Sequence, residues 1–470
     1  MRNLRLTLGS DNQRVVIGLL RFADVTLVAL TGIVSYWIRH GTLVVPEEYL
    51  VAIAIGALLA ANYLQLARLY NFAELHRFAL QFGTLTASWG AVILTLLLAG
   101  YFGKVSENFS RVWAVSWFVS AYVVLVVARG GLAWLLANWS QQGRIIYTVA
   151  VVGAGPFGER LVDHLNRQHD AGVRIVGVFD DRNTRVPRTV GGHPVRGTIE
   201  DLVAYARMNR VDEIMVALPW SAEMRLMDLL NRLRTLPNQV TLCPGAAAFD
   251  LPNMGYGEVA GVPMLTLMKP PLTGWKLVTK AIEDRVLSFL LLVLFSPLML
   301  FIAVAIKLAG PGPVLFRQKR YGFNNNEITV LKFRSMRWSP GEPGVTQATQ
   351  DDPRVTGLGR VLRHTSLDEL PQLFNVLRGE MSLVGPRPHA VAHNVQYAAV
   401  IDQYLSRHRV KPGITGWAQV NGLRGETRSP ELMRRRVRFD LDYIERWSLL
   451  FDLKILALTP FVGFVHENAY

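Results

Sequence analysis

Four long apolar stretches dominate the first third of the chain, and short polar segments separate them. A helix rises about 1.5 Å per residue, so about 20 apolar residues cross the ~30 Å hydrocarbon layer of a membrane. Four such stretches in a row are not typical of buried core helices. The pattern therefore predicts a four-helix transmembrane bundle within residues 1–142. The four stretches are Val15–Ile38, Tyr49–Arg68, Leu80–Phe102 and Val112–Ala137.

The charges next to these stretches predict their orientation. Lysine and arginine accumulate on the cytoplasmic side of membrane proteins. The loops expected on the other side carry a mixture of acidic and basic residues. The N-terminus and everything after the fourth helix are therefore expected in the cytoplasm. The basic residues on that side are Arg2, Arg5, Arg14, Arg68, Arg77 and Arg144.

Alternating strand-like and helix-like segments begin at Tyr147. The apolar run to Val152 leads into a glycine-rich loop that opens a helix, and a second strand ends about 20 positions later at an acidic residue. This is the sequence context that a dinucleotide-binding fingerprint requires. The candidate nucleotide-binding residues are Gly153, Gly155, Gly158 and Asp180.

This alternation predicts a Rossmann-like parallel α/β domain over residues 143–254, followed by a linker rich in Gly and Pro over residues 255–275. Two roles for the domain stay open. It binds a nicotinamide cofactor in an oxidoreductase, or it has a structural or regulatory function. No tyrosine in the chain has a lysine four residues downstream, so the usual Tyr/Lys pair of short-chain nucleotide-sugar oxidoreductases is missing.

A fifth apolar segment, Val286–Ile306, is long enough to span a membrane, but two features favour a different path. Ser296-Pro297 lies at its centre, where proline removes a helix hydrogen bond and kinks the axis. Basic residues flank both ends, so both ends favour the cytoplasmic side. The segment is predicted to be a re-entrant hairpin that dips into the inner leaflet and returns. The alternative is a kinked span with an exported C-terminal domain.

Composition narrows the kinds of partner. The 470 residues are 50% hydrophobic and 18% charged, with 50 Lys+Arg against 36 Asp+Glu. A basic, apolar chain indicates contact with anionic lipid, nucleic acid or phosphorylated substrates. We find no nucleic-acid-binding motif, so nucleic acid is not expected as a partner. The single cysteine, Cys243, excludes an internal disulfide and a multi-cysteine zinc site.

The adjacent acids Asp368 and Glu369 are the candidate catalytic residues. Pro371 fits the first turn of a helix, so a helix is expected to begin near Asp368. A helix N-terminus lowers a carboxylate pKa and would keep Asp368 ionised as a nucleophile or metal ligand, while Glu369 would hold Mg²⁺ or handle a proton. The structural alternative is a capping box formed by Ser366 and Glu369.

Basic residues in segments rich in Gly and Pro provide the charge that this acidic pair needs. Lys332, Arg334 and Arg387 do not follow a helical period, and Arg387 lies between Pro386 and Pro388. Guanidinium groups suit bidentate phosphate recognition. Together with Mg²⁺ they would spread the charge of a pyrophosphate under attack.

These motifs resemble those of a known family, the bacterial polyprenyl-phosphate sugar-phosphate transferases, in their large form with an Asp-Glu dyad. The resemblance covers essentially the whole chain. Its most specific block runs from Leu367 through Asn375 to Gly385-Pro-Arg-Pro388. The tail from Val410 to Gly422 is similar to that of the undecaprenyl-phosphate glucose phosphotransferases. One departure is Asn324–Asn326, where a glycine is common.

The resemblance implies a C-terminal, mainly helical catalytic domain over residues 276–470, with a re-entrant helix at 286–306. Asp368 would attack the β-phosphate of a UDP-sugar and form a covalent sugar-phosphate adduct, and undecaprenyl phosphate would then accept the sugar phosphate. Mg²⁺ would bind Asp368 and Glu369. The residues expected to bind phosphate or uridine are Lys332, Arg334, Arg387 and Pro388.

The expected activity is transfer of hexose 1-phosphate, glucose 1-phosphate in particular, at the bacterial inner membrane, which would initiate exopolysaccharide or capsule synthesis. Three alternatives stay open: the same reaction with galactose 1-phosphate, a membrane-anchored nucleotide-sugar oxidoreductase, and a non-catalytic scaffold. Homo-oligomerisation is left open as well.

Overall fold

The computed structural model describes residues 10–71, 75, 78–142, 147–167, 173–182, 186–219, 222–243, 257–259, 262–337, 352–389, 394, 397–398, 400–401, 403–423, 425 and 429–465. The chain forms two compact units, Met1–Tyr147 and Thr148–Tyr470. The predicted boundary at residue 142 lies close to the observed one. The predicted middle and C-terminal domains, in contrast, pack into a single unit.

The described part of the first unit contains four long helices, as the apolar pattern predicts, and all four are long and apolar enough to cross a membrane. Two tryptophans of the fourth helix tie it to the first, because the indole N–H groups of Trp113 and Trp117 donate to the carbonyls of Gly32 (3.1 Å) and Val28 (2.9 Å). A Cβ at Gly32 would lie 2.7 Å from Ile53, so the first and second helices pack backbone against side chain there. The helices are α1 (Ser10–His40), α2 (Glu47–Leu66), α3 (Phe78–Phe102) and α4 (Arg111–Gln141).

A six-stranded sheet opens the second unit. Its order is β2-β1-β5-β6-β8-β7, with β1, β5 and β6 running parallel and β8 antiparallel to β6. The predicted parallel α/β arrangement is confirmed in this coarse form. The strands are β1 (Tyr147–Val152), β2 (Val173–Phe179), β5 (Glu213–Val216), β6 (Gln239–Leu242), β7 (Gly257–Val259) and β8 (Val262–Met268), with β3 (Thr189–Val190) and β4 (His193–Pro194) forming a separate hairpin. The helices are α5 (Pro156–Arg167), α6 (Ile199–Met208) and α7 (Glu223–Leu233).

The segment predicted as a linker, residues 255–275, instead contributes two strands to this sheet. It contains β7 and β8, and β8 pairs with β6 from Leu242↔Leu265 to Val240↔Met268. Three apolar residues of β8, Leu265, Leu267 and Met268, pack against the hydrophobic core of the sheet. The strand in the middle of the segment was not predicted, because the glycines and prolines around it are typical of a linker.

The rest of the second unit is mainly helical and surrounds two small sheets. One sheet pairs β9 (Leu315–Tyr321) with β10 (Glu327–Phe333) antiparallel, and the other pairs β11 (Ser382–Val384) with β12 (Gly413–Thr415) parallel. Short 3₁₀ segments lie at Phe323–Asn325, Leu367–Glu369 and Tyr404–Arg409. The helices are α8 (Gly274–Leu308), α9 (Gly357–His364), α10 (Gln372–Leu377), α11 (Trp417–Val420), α12 (Pro430–Arg446) and α13 (Leu449–Val465).

The fifth apolar segment lies inside α8, which is assigned as one helix with Pro297 within it rather than as two separate half-helices. In the first half, Asp284 accepts hydrogen bonds from the Ser382 hydroxyl (2.9 Å) and the Leu383 N–H (3.0 Å). In the second half, Ile302 and Ile306 are buried in one cluster with Phe333 and Leu362. The middle of the helix exposes large apolar side chains, namely Phe289, Leu290, Val293, Leu294, Leu300 and Phe301.

Candidate active site

The acidic pair lies in a single 3₁₀ turn, Leu367–Glu369, between α9 and α10. Ser366 enters the turn in the left-handed region (φ 59°), and Pro371 directly precedes α10. The turn buries both carboxylates, since Asp368 and Glu369 are each 8% exposed. Two adjacent buried carboxylates repel each other and are costly to desolvate, so their partners decide what each of them can do.

Glu369 is neutralised by two cations from distant parts of the sequence. Lys332 of β10 donates to Oε1 at 2.7 Å. Arg387 donates to Oε1 at 2.5 Å and to Oε2 at 3.1 Å. Burial alone would raise the pKa of Glu369, but Arg387 and Lys332 together hold it well below its usual range. Glu369 is therefore a fixed anion that orients both cations.

Asp368 has a different environment from its neighbour. It makes no hydrogen bond or ion pair with another described residue, although Lys332, Arg387 and Arg363 influence it electrostatically. Burial first, and the charge of Glu369 second, raise the pKa of Asp368 to about 6. The expectation that a helix N-terminus lowers this pKa is wrong. A short 3₁₀ turn followed by a six-residue helix provides a weak dipole, and desolvation outweighs it.

The capping-box alternative is not realised. Ser366 precedes the turn but makes no side-chain capping hydrogen bond, and Glu369 binds Lys332 and Arg387 through Oε1 and Arg387 again through Oε2. Helix capping therefore does not explain why two acids occur here.

Arg334 does not join the acidic pair, although the sequence predicted it as a phosphate-binding residue. Its Nη2 donates to the carbonyls of Ile306 and Gly310, both at 2.9 Å, and its Nη1 donates to the carbonyl of Pro311 at 2.5 Å. These are the free carbonyls at the C-terminal end of α8 and just beyond it, so Arg334 caps that helix. Pro388 contributes its carbonyl to Arg320 at 3.0 Å.

Comparison with known proteins places this site in a family. Residues 275–466 match the family described as bacterial sugar transferase, and residues 65–244 match the CoA-binding domain family. The chain is 39% identical to the UDP-glucose:undecaprenyl-phosphate glucose-1-phosphate transferase of Xanthomonas campestris pv. campestris, over 96% of this chain and 94% of that protein. The chain belongs to the bacterial sugar transferase family.

Proteins of the same printed name from two other bacteria are also similar over most of their length. The relative from Escherichia coli (strain K12) is 42% identical, over 84% of each chain. The relative from Klebsiella pneumoniae is 36% identical, over 98% of this chain and 97% of that protein. The predicted membership is thereby confirmed for the whole chain and does not rest on the C-terminal block alone.

In this sugar transferase the glycine loop of the middle region is present, but its residues contact other groups of the same chain. Gly153 has φ +107°, and a Cβ at Gly158 would lie 1.9 Å from the Gly153 carbonyl, so loop and helix α5 touch directly. The Asp180 carboxylate accepts the Ala154 N–H at 2.8 Å and Arg182 Nη2 at 2.6 Å. Burial acts to raise the pKa of Asp180, but the Arg182 and Ala154 hydrogen bonds outweigh it and lower the pKa.

A dinucleotide-binding acid must be free to bind a ribose hydroxyl, whereas Asp180 already binds Arg182 and the loop. Gly155 lies beside the Arg182 guanidinium, at 3.4 Å from a Cβ built on it. The four residues predicted to bind a nucleotide are thus brought together, in an arrangement that explains their presence structurally. Their role toward a nucleotide stays a prediction.

Magnesium fits the acidic pair in one way only. Among the described residues, no three His, Cys, Asp or Glu side chains converge as a metal site. Both Glu369 oxygens face cations, which disfavours Glu369 as a ligand, whereas Asp368 is available. Mg²⁺ commonly uses one or two carboxylates and completes its shell with substrate phosphates and water, and the pair fits that mode through Asp368.

Sequence reasoning missed several basic residues around this sugar transferase site. Arg363 and Arg320 influence Asp368 and Glu369 respectively, and the buried Arg407 reaches the backbone at Arg387. Arg320 and Arg407 lie in polar runs that look like ordinary solvated surface in the sequence. Only their burial distinguishes them, and the sequence does not encode that locally.

Proposed function

We propose that this protein transfers glucose 1-phosphate from UDP-glucose to undecaprenyl phosphate, giving undecaprenyl-diphospho-glucose and UMP. One observation carries the proposal: the buried carboxylate of Asp368 has no hydrogen-bond partner among the described residues, and it lies next to Glu369, which two cations neutralise. Three relatives similar over most of the chain carry the name of this activity. A nucleophile needs a free lone pair, and Asp368 has one.

In the first step an oxygen of Asp368 attacks the β-phosphorus of UDP-glucose. The bond between that phosphorus and the bridging oxygen breaks, and UMP leaves with its electron pair. Asp368 then carries glucose 1-phosphate as a mixed carboxylic–phosphoric anhydride. Splitting one displacement into two in this way is the advantage of covalent catalysis.

In the second step a phosphate oxygen of undecaprenyl phosphate attacks the same phosphorus. The bond to Asp368 breaks, the carboxylate is restored, and the lipid diphosphosugar is released. Lys332 and Arg387, which Glu369 holds close to Asp368, would stabilise the charge that builds up on the phosphoryl oxygens in both steps. Bound Mg²⁺ would supply further neutralisation of the phosphates through Asp368.

The contacts of α8 support a re-entrant path for this helix. Asp284 near its start and Ile306 near its end both contact the fold formed by residues 315–455. A helix that fully crossed a membrane would separate those two contacts by the bilayer. The exposed apolar side chains between residues 289 and 301 are then the part in lipid. The acidic pair would lie at the leaflet surface, where a soluble donor meets a membrane-held acceptor.

We further propose that the second unit lies in the cytoplasm of a bacterium and that α1–α4 cross its inner membrane. UDP-sugars are cytoplasmic metabolites, so only this orientation brings the donor to Asp368.

Turnover in vesicles tests the proposal. Purified protein is reconstituted with undecaprenyl phosphate and Mg²⁺, and release of UMP and formation of lipid-linked sugar are measured with UDP-glucose and with UDP-galactose. We expect both products, with a clear preference for UDP-glucose. Preference for UDP-galactose would overturn the choice of sugar, and UMP release from neither donor would overturn the reaction itself.

A further inference from the structure

A buried arginine holds the backbone of the segment that carries Arg387. Arg407, in the 3₁₀ segment Tyr404–Arg409, is 1% exposed. Its Nη2 donates to the Arg387 carbonyl at 2.8 Å and lies 2.7 Å from Oδ2 of Asp440, which is also buried. The Arg407 guanidinium thus links helix α12 to Arg387, the residue that binds Glu369.

The segment Pro386-Arg387-Pro388 depends on such contacts because two of its three residues lack an N–H group. It is fixed instead through its carbonyls, all three of which accept hydrogen bonds. The Pro386 carbonyl accepts from the Gly413 N–H (3.0 Å), that of Arg387 from Arg407 (2.8 Å), and that of Pro388 from Arg320 (3.0 Å). Arg407 therefore fixes the carbonyl of Arg387, the central residue of this segment.

The next residue strengthens the attachment. Nδ1 of His389 lies 2.6 Å from Nη1 of Arg407 and 2.7 Å from the Tyr404 hydroxyl. Burial first, then the charges of Arg407, Arg436 and Arg320, hold the pKa of His389 well below its usual range. The neutral imidazole is thus an acceptor for Arg407 rather than a competing cation.

The segment that carries Arg407 is itself anchored on its other side to the six-stranded sheet region. The Ser406 hydroxyl donates to the Arg234 carbonyl at 3.1 Å, and Arg409 donates to the Lys269 carbonyl at 2.9 Å. The segment around Arg407 is therefore hydrogen-bonded to the backbone at Arg234 and Lys269. A buried ion pair such as Arg407–Asp440 adds little net stability compared with apolar residues of similar size, so its geometry calls for a further explanation.

We propose that Arg407, anchored by Asp440, is a positioning residue that holds Arg387 against Glu369 and so keeps Asp368 competent for sugar-phosphate transfer. The proposal rests on the proposed function for its catalytic consequence, but not for its structural one. Displacing a catalytic cation by about 1 Å costs on the order of 10- to 100-fold in rate. Because Arg407 is 1% exposed, it acts through Arg387 rather than on the substrate directly.

A double-mutant cycle tests the catalytic consequence. R407K and D440N should each lower kcat by at least about 10-fold, with the KM for UDP-glucose changing much less. In an R387K background, R407K should add less than about 2-fold, because the residue that it positions is already altered. Effects that multiply across the two backgrounds would overturn the proposal. The exposed Arg434 lies on α12, the helix that carries Asp440, and provides the control R434A. The kcat and KM of R434A should equal those of the wild type.

Chemical labelling tests the structural consequence without any turnover. Substrate-free protein is treated with phenylglyoxal, and modification of Arg387 is measured by mass spectrometry. Labelling of Arg387 should accelerate at least about 5-fold in R407K and in D440N but not in R434A, while unchanged hydrogen exchange of the β10 amides shows that the second unit stays folded. Unchanged labelling of Arg387 in both variants would overturn the proposal, whereas inactive wild-type protein would count only against the proposed function.

Discussion

Asp180 and Asp368 are both buried acids that the sequence singled out, and the protein treats them in opposite ways. Asp180 accepts hydrogen bonds from Ala154 and Arg182, and its pKa is lowered. Asp368 has no hydrogen-bond partner among the described residues, and burial beside Glu369 raises its pKa to about 6. A carboxylate that its own chain satisfies stabilises the fold, whereas one left unsatisfied is available for chemistry.

Arg334 and Arg387 repeat this contrast with the opposite charge. Both were predicted to bind phosphate. Arg334 uses both terminal nitrogens on backbone carbonyls near the end of α8, and Arg387 uses both on Glu369. The partner of a partly buried charged group, more than its residue type, separates a structural role from a catalytic one.

The largest expected effect comes from the two aspartates. Asp368→Asn removes the nucleophile and should lower formation of lipid-linked sugar by at least about 10³-fold. Asp180→Asn should leave the rate within about 3-fold of wild type. The measurement is UMP release in vesicles, with thermal unfolding as the control for folding. Equal losses in the two variants would break the contrast.

The two arginines give the next effect. Arg387→Lys keeps the charge but loses the bidentate grip on Glu369, so the rate should fall by about 10- to 100-fold. Arg334→Lys should lower thermal stability, because it loses hydrogen bonds to the end of α8, and should change the rate of the folded protein by less than about 3-fold. A greater rate loss in Arg334→Lys would mean that Arg334 binds phosphate after all, as the sequence predicted.

A smaller effect concerns stability and pH. The pKa of Asp368 is raised in the folded protein, so the native state is fully stabilised below the unfolded pKa near 4 and loses that contribution as pH rises through about 6. Asp368→Asn should therefore be more stable than wild type at pH 7.5, with an unfolding free energy higher by at most about 3 kcal/mol. It should also unfold at a higher temperature. The difference should disappear by about pH 4.

Unfolding curves of both proteins in detergent between pH 4 and pH 8, without Mg²⁺, provide the measurement. A gap that widens as the pH falls would mean that the pKa of Asp368 is lowered, contrary to the structure.

The smallest effect is local. Asp180→Asn keeps the size of the side chain but weakens the hydrogen bonds to Ala154 and Arg182, which should cost about 1 to 2 kcal/mol. Hydrogen exchange at the glycine loop should accelerate, and exchange in β10 should not. Faster exchange spreading to the acidic pair would show that the two sites are coupled.

Features with a repeating pattern were predictable from the sequence. The apolar lengths located α1–α4 to within a few residues, and alternating apolar runs located β1, β2 and β5. The strand β8 was missed because the pattern of a half-buried strand is short there and lies between glycines and prolines.

Features that depend on long-range partners were not predictable in this way. Sequence proximity identified Asp368 and Glu369 as a pair, but not which of them the cations would occupy. The role of Arg334 depends on carbonyls at residues 306, 310 and 311, and that of Arg407 on the carbonyl of Arg387. Every residue has a backbone carbonyl, so residue types do not show which carbonyl binds an arginine. Reasoning from the sequence pattern therefore predicts such arginines to bind phosphate.

The most direct test of the central claim is to trap the adduct. Purified wild-type protein is mixed with UDP-[¹⁴C]glucose and Mg²⁺ without lipid acceptor, quenched within seconds, and digested for mass spectrometry. The account predicts one glucose phosphate on the peptide containing Asp368, its discharge on adding undecaprenyl phosphate, and none in Asp368→Asn. Lipid-linked glucose forming at the normal rate in Asp368→Asn, or label on a different residue, would contradict it.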